Sequence, residues 1–572
     1  MTFLRGYAIH VDMNSLREEA SVNIAKRLGW QTGVKDQTGI ACDLANGKDI
    51  QEIYGLGEAG LFDEFFYFLH EIGVMPLLEA LAPKGLRKRA SNIKFPAVIL
   101  VYLMRIISGL HFFWHVEPVL LQSQALMHLV GFNGQEILEG STRRGLPKAA
   151  AGPEEKKTDP EKKPAEVRGP MGADSVADYI QAIAAKALEK FFNRVIGILA
   201  ANSFFPKRVH ALLDASEIES TERCAGCGMV KKEKAPELRL RRGRIRKVVE
   251  KVFGFKIWVV WDPNSRLPLA MRFATINVAD CVMTKEVVEQ AIANLGDHAR
   301  IASLALDRGF LDGALLWWLN TTGITFYMPA KSNLDVYRDA LSLTETGVRQ
   351  TREKIRYVGR GKDRKTVTDR WDVAGIEGLP SAGFYGERGS GSHEHNRDFV
   401  PNPINAVVVL HDPYRKNNPN AKTLVILTNG PVQKPLVVYD AYDARSEIEN
   451  SLFREAKQAW FIERPAKNTA QAFRAHCYLT LITMALTTAF LAWMIAQEKR
   501  EHRGEETGIR IFRQEVRVEN WNKLIVFDQD RYAIFEAYEL VILLGKKVRM
   551  PHGVPETITR EDILRKYGAL RE

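Results

Sequence analysis

The chain has 572 residues, too many for one ordinary hydrophobic core, so two to four domains are expected. Hydrophobic residues make up 46% and charged residues 26%, the balance of a soluble globular protein. Lys and Arg outnumber Asp and Glu by 80 to 69, a net +11 that suits a polyanionic partner without requiring one; five cysteines exclude a disulfide framework. Residues 1–14 lack the basic-then-apolar layout of a signal peptide, so a cytoplasmic location is expected.

In chain order, the first region reads as an N-terminal all-helical domain over 1–139. Apolar residues recur at helical spacing over 61–70 and 95–110, punctuated by Pro76, Pro83 and Pro118. The basic joint Lys84-Gly85-Leu86-Arg87-Lys88-Arg89 offers phosphate contacts, although such a run is as readily a solvated face. Residues 140–174, rich in Lys, Glu, Pro, Ala and Gly, have too little apolar surface to offset ordering entropy and read as a flexible linker.

The region 175–332 has a more specific order. One strand closes at Asp214, a second covers 255–261 and a third 267–273, with Asp262-Pro263-Asn264-Ser265 as the turn between them. A helix capped at Thr284 runs to Gly296, a fourth strand closes at Asp307, a helix covers 313–320 and a fifth strand 324–328. This is the order of an α/β, RNase H-like core, in which the first and fourth strands are neighbours. A mainly β insertion is expected over 333–435, and the core resumes over 436–499. The stretch 479–496 carries no charge and is just long enough to span a bilayer. It contains four threonines and stands alone, which favours a buried core helix. The C-terminal region, 500–572, shows a strand-like piece at 524–527 and a helix near 532–544.

Three acids recur at informative places. Asp214 follows Val209-His210-Ala211-Leu212-Leu213, Asp307 follows Ile301-Ala302-Ser303-Leu304-Ala305-Leu306, and Glu449 lies on a helix with Tyr442 and Arg445. Acids at the ends of neighbouring strands converge on one point, and a third on a helix over the sheet closes a site for Mg²⁺ or Mn²⁺, hard cations that serve phosphoryl transfer. Singly, each acid is as well read as a turn former. Tyr442, Arg445 and Glu449 stand at i, i+3 and i+7, one stripe of an α-helix, although Arg445 and Glu449 would equally make a surface ion pair.

Together, Leu212-Leu213-Asp214-Ala215-Ser216, Leu306-Asp307-Arg308-Gly309-Phe310 and Tyr442-x₂-Arg445-x₃-Glu449 with Phe453, Arg454 and Lys457 resemble the DDE transposases of bacterial insertion sequences. The branch most like it has a Tyr-Arg-Glu-Lys signature and a β-rich insertion before the catalytic Glu. Gly254-x-Lys256 and the run to Asp262 also fit. The resemblance implies two Mg²⁺ ions held by Asp214, Asp307 and Glu449, with Asp214 bridging both. It implies double-stranded DNA, transposon ends and target, as the partner of a homo-oligomer in a nucleoid-associated, cytoplasmic setting. Arg445 and Lys457 would hold phosphates, and Tyr442 the DNA backbone. The signature lysine is displaced by one residue, Ala456 standing where it is usual and Lys457 following.

Three further motifs stand beside these. Cys224-x₂-Cys227 would need two more ligands for structural zinc, from His210, His298 or a partner chain, so two free thiols in a tight turn is the preferred reading. Residues 231–251 carry ten Lys/Arg and three Glu, and Arg241, Arg242 and Arg244 within them are candidate DNA contacts. Trp317-Trp318 reads as helix core before it reads as a stacking surface for an extruded base. The rival functions are a catalytically silent DNA-binding regulator and a plain nuclease on the same fold.

Overall fold

The computed structural model describes residues 34–50, 52–55, 62–83, 94–132, 136–137, 170–234, 248–358, 364–379, 404–414, 423–498, 523–528, 531–547, 549–550, 555 and 557–570. The chain forms two compact units, Leu199–Glu455 and the segments on either side of it. The flanking unit opens with strand β1 (Val34–Lys35), α1 (Gln37–Ala45), β2 (Glu52–Gly55), α2 (Phe62–Glu71), α3 (Phe95–Ile107), α4 (Gln124–Leu129), α5 (Ala173–Ala182) and α6 (Ala185–Ala201). Helix α1 starts where the Asp36 carboxylate accepts the Gly39 N–H at 2.8 Å, satisfying one orphan donor of the first turn. Every residue of α3 is buried, including Arg105.

The central unit carries β3 (Arg208–Ser220), β4 (Gly228–Lys234), β5 (Val248–Asp262), β6 (Leu267–Thr275), α7 (Thr284–Leu295), β7 (Arg300–Leu306), α8 (Gly313–Thr321) and β8 (Thr325–Pro329). It continues with α9 (Asp335–Ser342), β9 (Val348–Val358), β10 (Lys365–Leu379), β11 (Ile404–His411), β12 (Leu424–Thr428) and α10 (Pro435–Asp443). One ten-stranded sheet takes them in the order β4-β5-β3-β7-β8-β12-β11-β10-β9, with β6 paired to β5. β3 lies parallel to β7 and antiparallel to β5, so the strands leading to Asp214 and Asp307 are neighbours.

The strands of 333–435 join the same sheet, β12 pairing with β8 through Ile426↔Pro329 and Leu427↔Met328. One expectation for this unit needs correction: β3 does not end at Asp214. Its polar continuation stays paired with the long β5, Ala215 opposite Trp258 and Ser220 opposite Phe253. Only on the β7 side does pairing stop at Leu213↔Leu306.

The flanking unit resumes at Ala456, inside α11 (Arg454–Gln458), and adds α12 (Ala470–Glu498), β13 (Lys523–Asp528), β14 (Arg531–Glu536), α13 (Ala537–Leu543) and α14 (Arg560–Lys566). Stretch 470–494 is long and apolar enough to cross a membrane, yet it is mostly buried within the protein. Phe490 meets Phe65 and Phe68 of α2 at ring-centroid distances of 5.4 and 5.6 Å, as in a core helix. A second sheet, β1-β14-β13-β2, joins the N-terminal segment to the C-terminal hairpin, so the first region is not all-helical and residues 531–536 are strand, not helix. The short β1 and β2 find their partners hundreds of residues away, where no local periodicity records them. Arg531 ties this junction, donating to Asp36 at 3.0 Å and to Asp43 at 2.8 Å. Residues 1–33, the joint at 84–89 and 140–169 of the expected linker lie outside the described residues.

Candidate active site

Leu213 and Leu306 are register partners on parallel strands, and Asp214 and Asp307 are the residues that follow them. Asp307 keeps extended backbone (φ −83°, ψ 164°) as the chain leaves the sheet. Neighbouring strands stand ~4.8 Å apart and side chains at paired positions share a face, so the two carboxylates belong to one surface of the sheet. The turn after Asp307 passes close to a further acid: a Cβ on Gly309 would stand 3.1 Å from Asp280 Oδ2. Asp280 receives Lys256 Nζ at 2.8 Å, and Lys256 also donates to the Val278 carbonyl at 3.0 Å. Gly254, two residues earlier, is required by close approach, since a Cβ there would lie 2.2 Å from the Ile218 carbonyl oxygen. The Gly-x-Lys pair was legible in the sequence; Asp280, in a loop without periodicity, was not.

Glu449 arrives by a less regular route than one continuous helix. α10 ends at Asp443, and short backbone bonds from Arg445 N–H to Tyr442 O and from Glu447 N–H to Ala444 O tighten the chain into a turn, both at 2.9 Å. A wide π-helical turn, Ile448–Phe453, then carries Glu449. Tyr442 therefore leaves the expected stripe. Its ring is buried beside Trp371, Val438 and Tyr439, in a core where Tyr439 donates its hydroxyl proton to Asp412 at 2.9 Å.

Arg445 organises the acids. Its Nη1 donates to Asp214 Oδ2 at 3.2 Å and to Glu449 Oε1 at 2.9 Å. Asp214 is buried, whereas the Glu449 side chain is 56% exposed. Burial pushes the Asp214 carboxyl up to about 7; the Ala215 N–H and Arg445 oppose that rise, while Glu449 and Asp307 add to it. Burial works against the Arg445 charge, yet its bond to Glu449 and the fields of Asp214, Tyr442 and Asp307 hold the guanidinium above its ordinary range.

The donor set fits a divalent cation: all three groups are hard carboxylates, and burial holds the most buried of them against ionisation, which a bound cation would favour. Among the described residues, no three His, Cys, Asp or Glu side chains converge tightly enough to enclose an ion as they stand. A single guanidinium nitrogen, Arg445 Nη1, bridges two of the acids instead.

The remaining candidates are dispersed. Lys457 belongs to the flanking unit, where its Nζ meets Glu463 at 3.0 Å. Arg241, Arg242 and Arg244 lie outside the described residues. Cys224 is buried and Cys227 half-buried, both free, with the Cys227 N–H 3.4 Å from the Cys224 carbonyl in a tight turn. Trp317 is exposed rather than core, and Trp318 lies half-buried with Lys285 Nζ 5.7 Å from its ring centroid.

Asp214 and Asp307 thus follow the paired stretch of two parallel strands, and Arg445 links Asp214 to Glu449. Residues 206–486 match the family model described as "Transposase DDE domain", a span that holds Asp214, Asp307, Tyr442, Arg445, Glu449 and Lys457. This match supports a DDE transposase, an enzyme class that cleaves and transfers DNA and generally uses divalent metal ions. No curated protein matches the sequence. A similar solved structure is the cryo-EM piggyBac transposase synaptic complex with hairpin DNA, with 10% identity and a TM-score of 0.32. The likeness covers 62% of this chain and 63% of that one, and at that TM-score it does not establish a shared fold.

Proposed function

We propose that the chain is a DNA transposase that hydrolyses the phosphodiester at the ends of its own element and joins the freed 3′-hydroxyl to target DNA. The observation that carries this reading is that Asp214 and Asp307 directly follow Leu213 and Leu306, the last register partners of two parallel strands, with Glu449 tied to Asp214 through Arg445. An RNase H-like core is supported by the antiparallel β3, β5 and β6 followed by parallel β7 and β8. Asp214, Asp307 and Glu449 would hold two Mg²⁺ ions, which when bound supply Lewis-acid stabilisation of the phosphoryl group and a nucleophile at neutral pH.

The protein's own residues set up the rest. Asp214 lies within β3 and Asp307 directly after β7, while the half-exposed Glu449 rides a π-helical turn, the kind of irregularity that recurs at functional sites. Arg445 offers a planar guanidinium suited to phosphate oxygens. Lys457 and the basic stretch with Arg241, Arg242 and Arg244 complete the proposed contacts to double-stranded DNA, the ends and the target, in a nucleoid-associated homo-oligomer.

The test is Mg²⁺-dependent cleavage of a duplex carrying the element end. Asp214→Asn, Asp307→Asn and Glu449→Gln should each lower cleavage by roughly a thousand-fold, the scale expected when an electrostatic catalyst is removed, while end binding survives. Full cleavage by any one variant would remove that residue from the site. A wild-type protein that binds ends but never cleaves them would establish the silent regulator instead.

A further inference from the structure

We propose that the flanking unit carries a stacking site for an unpaired DNA base, built by Phe112 and Trp114 on a loop held by a buried hydrogen-bond chain. The ligand class rests on the reading of the chain as a DNA-acting enzyme; the geometry is independent of the carboxylate site.

The loop follows Gly109, whose φ of 65° turns the chain out of α3. It then reads His111-Phe112-Phe113-Trp114-His115, and the aromatic residues divide by direction. Phe113 turns inward, its ring centroid 5.1 Å from the Arg105 guanidinium carbon and 6.2 Å from the Tyr102 ring. Phe112 and Trp114 turn outward, 52% and 66% exposed, among the most exposed large apolar side chains described. Their rings lie 26° from parallel with centroids 6.4 Å apart. His115 stands edge-on to both, at 3.9 Å from Trp114 and 5.7 Å from Phe112, and His111 stands edge-on to Phe112 at 4.5 Å. Two large rings of near-common orientation, buttressed edge-on by imidazoles and left in water, cost more than a polar loop would. A ligand with a π face recovers that cost.

The platform is fixed rather than free to collapse. Arg105 donates through Nη1 to Tyr102 Oη at 3.1 Å and through Nη2 to the Arg464 carbonyl at 2.6 Å. Tyr102 passes its proton toward His476 Nδ1 at 3.0 Å, and His476 Nε2–H donates to the Phe461 carbonyl at 2.9 Å. Phe461, at φ 53°, presents its ring to His111 at 4.9 Å. The segment carrying Phe461 and Arg464 is thus pinned beside the aromatic loop.

Charge selects the occupant. Arg464 and Arg105 act on His111 as positive neighbours, and Glu463, the acid next to Arg464, is neutralised by Lys457 at 3.0 Å. An aromatic pair under a positive field suits a base with its phosphate, since single-strand sites pair stacking rings with cationic side chains. A second copy of this chain, stacking its own rings here, is the alternative the experiment separates.

The full chain, in EDTA so that no cleavage occurs, is titrated with a fluorescent twelve-nucleotide oligothymidylate and with an abasic oligomer of the same length, which keeps the phosphates and lacks the bases. Wild type should prefer the thymidylate by roughly ten-fold, within the range for one stacked base. Phe112→Ala and Trp114→Ala should each remove most of that preference and leave abasic binding unchanged. Phe112→Tyr and Trp114→Phe, which keep a ring, should retain it. Equal affinity of wild type for the two oligomers would overturn the proposal, as would alanine variants that keep the preference. So would a Phe112→Ala/Trp114→Ala protein that changes from dimer to monomer in sedimentation while its base preference is intact. Because no metal is present, failure here leaves the cleavage test of Asp214, Asp307 and Glu449 standing, and failure there leaves this one.

Discussion

Arg445 in the central unit and Arg105 in the flanking unit each join several partners, and the two sites behave oppositely. Arg445 spans two carboxylates, one buried and one exposed. Arg105, deep in α3, bonds a tyrosine hydroxyl and a backbone carbonyl, and the chain continues into a neutral histidine. Burial lowers the Arg105 pKa, and it pushes His476 down to about 3. In the central unit, neighbouring carboxylates raise Arg445, and burial lifts Asp214 to about 7. A site built for an incoming cation or phosphate keeps groups whose charges are imperfectly balanced. A site built to hold a loop uses up its hydrogen bonds on fixed partners.

The sharpest way to break this comparison is Arg105→Ala. It should cost about 3 kcal/mol in urea unfolding, because a hydrogen bond to a charged donor is worth ~1.5–3 kcal/mol and two are lost. A loss below about 1 kcal/mol would mean the buried chain is not structural. Asp214→Asn should do the reverse: with EDTA at pH 8 it should stabilise the protein by about 2 kcal/mol, since it removes a buried charge while losing cleavage. A destabilised Asp214→Asn protein would show that Arg445 already compensates the carboxylate in full.

The pH responses sharpen the contrast. His476 has its folded pKa below the ordinary 6.5, so the unfolded chain takes the proton first as the solution is acidified. Its contribution to stability is complete above pH 6.5 and is lost as pH falls from there toward 3, by up to about 1.4 kcal/mol per unit. A His476→Gln variant should lack that slope, and parallel curves for the two proteins would refute the assignment. Asp214 runs the other way: its folded pKa lies above 3.8, so its contribution is full below 3.8 and lost as pH rises through 7. The smallest effect is expected of Lys457→Ala, whose partly exposed pair with Glu463 is worth ~0.2–1 kcal/mol. It should weaken end binding a few-fold while leaving the unfolding midpoint nearly unchanged. Unaltered binding would mean the displaced lysine has no contact with DNA.

Much of the central unit was legible locally. Apolar runs of period and length suited to strands located β3, β5, β6, β7 and β8, and the hydrophobic stretches placed Asp214 and Asp307 at their ends because each run stops where a charge begins. The same rule misjudged how far β3 extends, since pairing with β5 carries its polar half onward. Tyr442, Arg445 and Glu449 read as one helical stripe because spacing alone cannot register a turn at Ala444 and Arg445. Burial then drew Tyr442 into the core.

The sequence by itself determined the acids, their order, the strands that lead to two of them and an apolar helix over 479–496, because strand and helix periods are properties of neighbouring residues. Only the tertiary structure decided that the later strands extend one sheet, that the first and last segments share another, and that Arg445 bridges Asp214 to Glu449 across 231 positions of chain. It also decided that the rings of Phe112 and Trp114 face water while Phe113 faces Arg105. Those outcomes depend on which distant groups satisfy each backbone edge and each buried charge, and that choice is made by packing, not by local pattern.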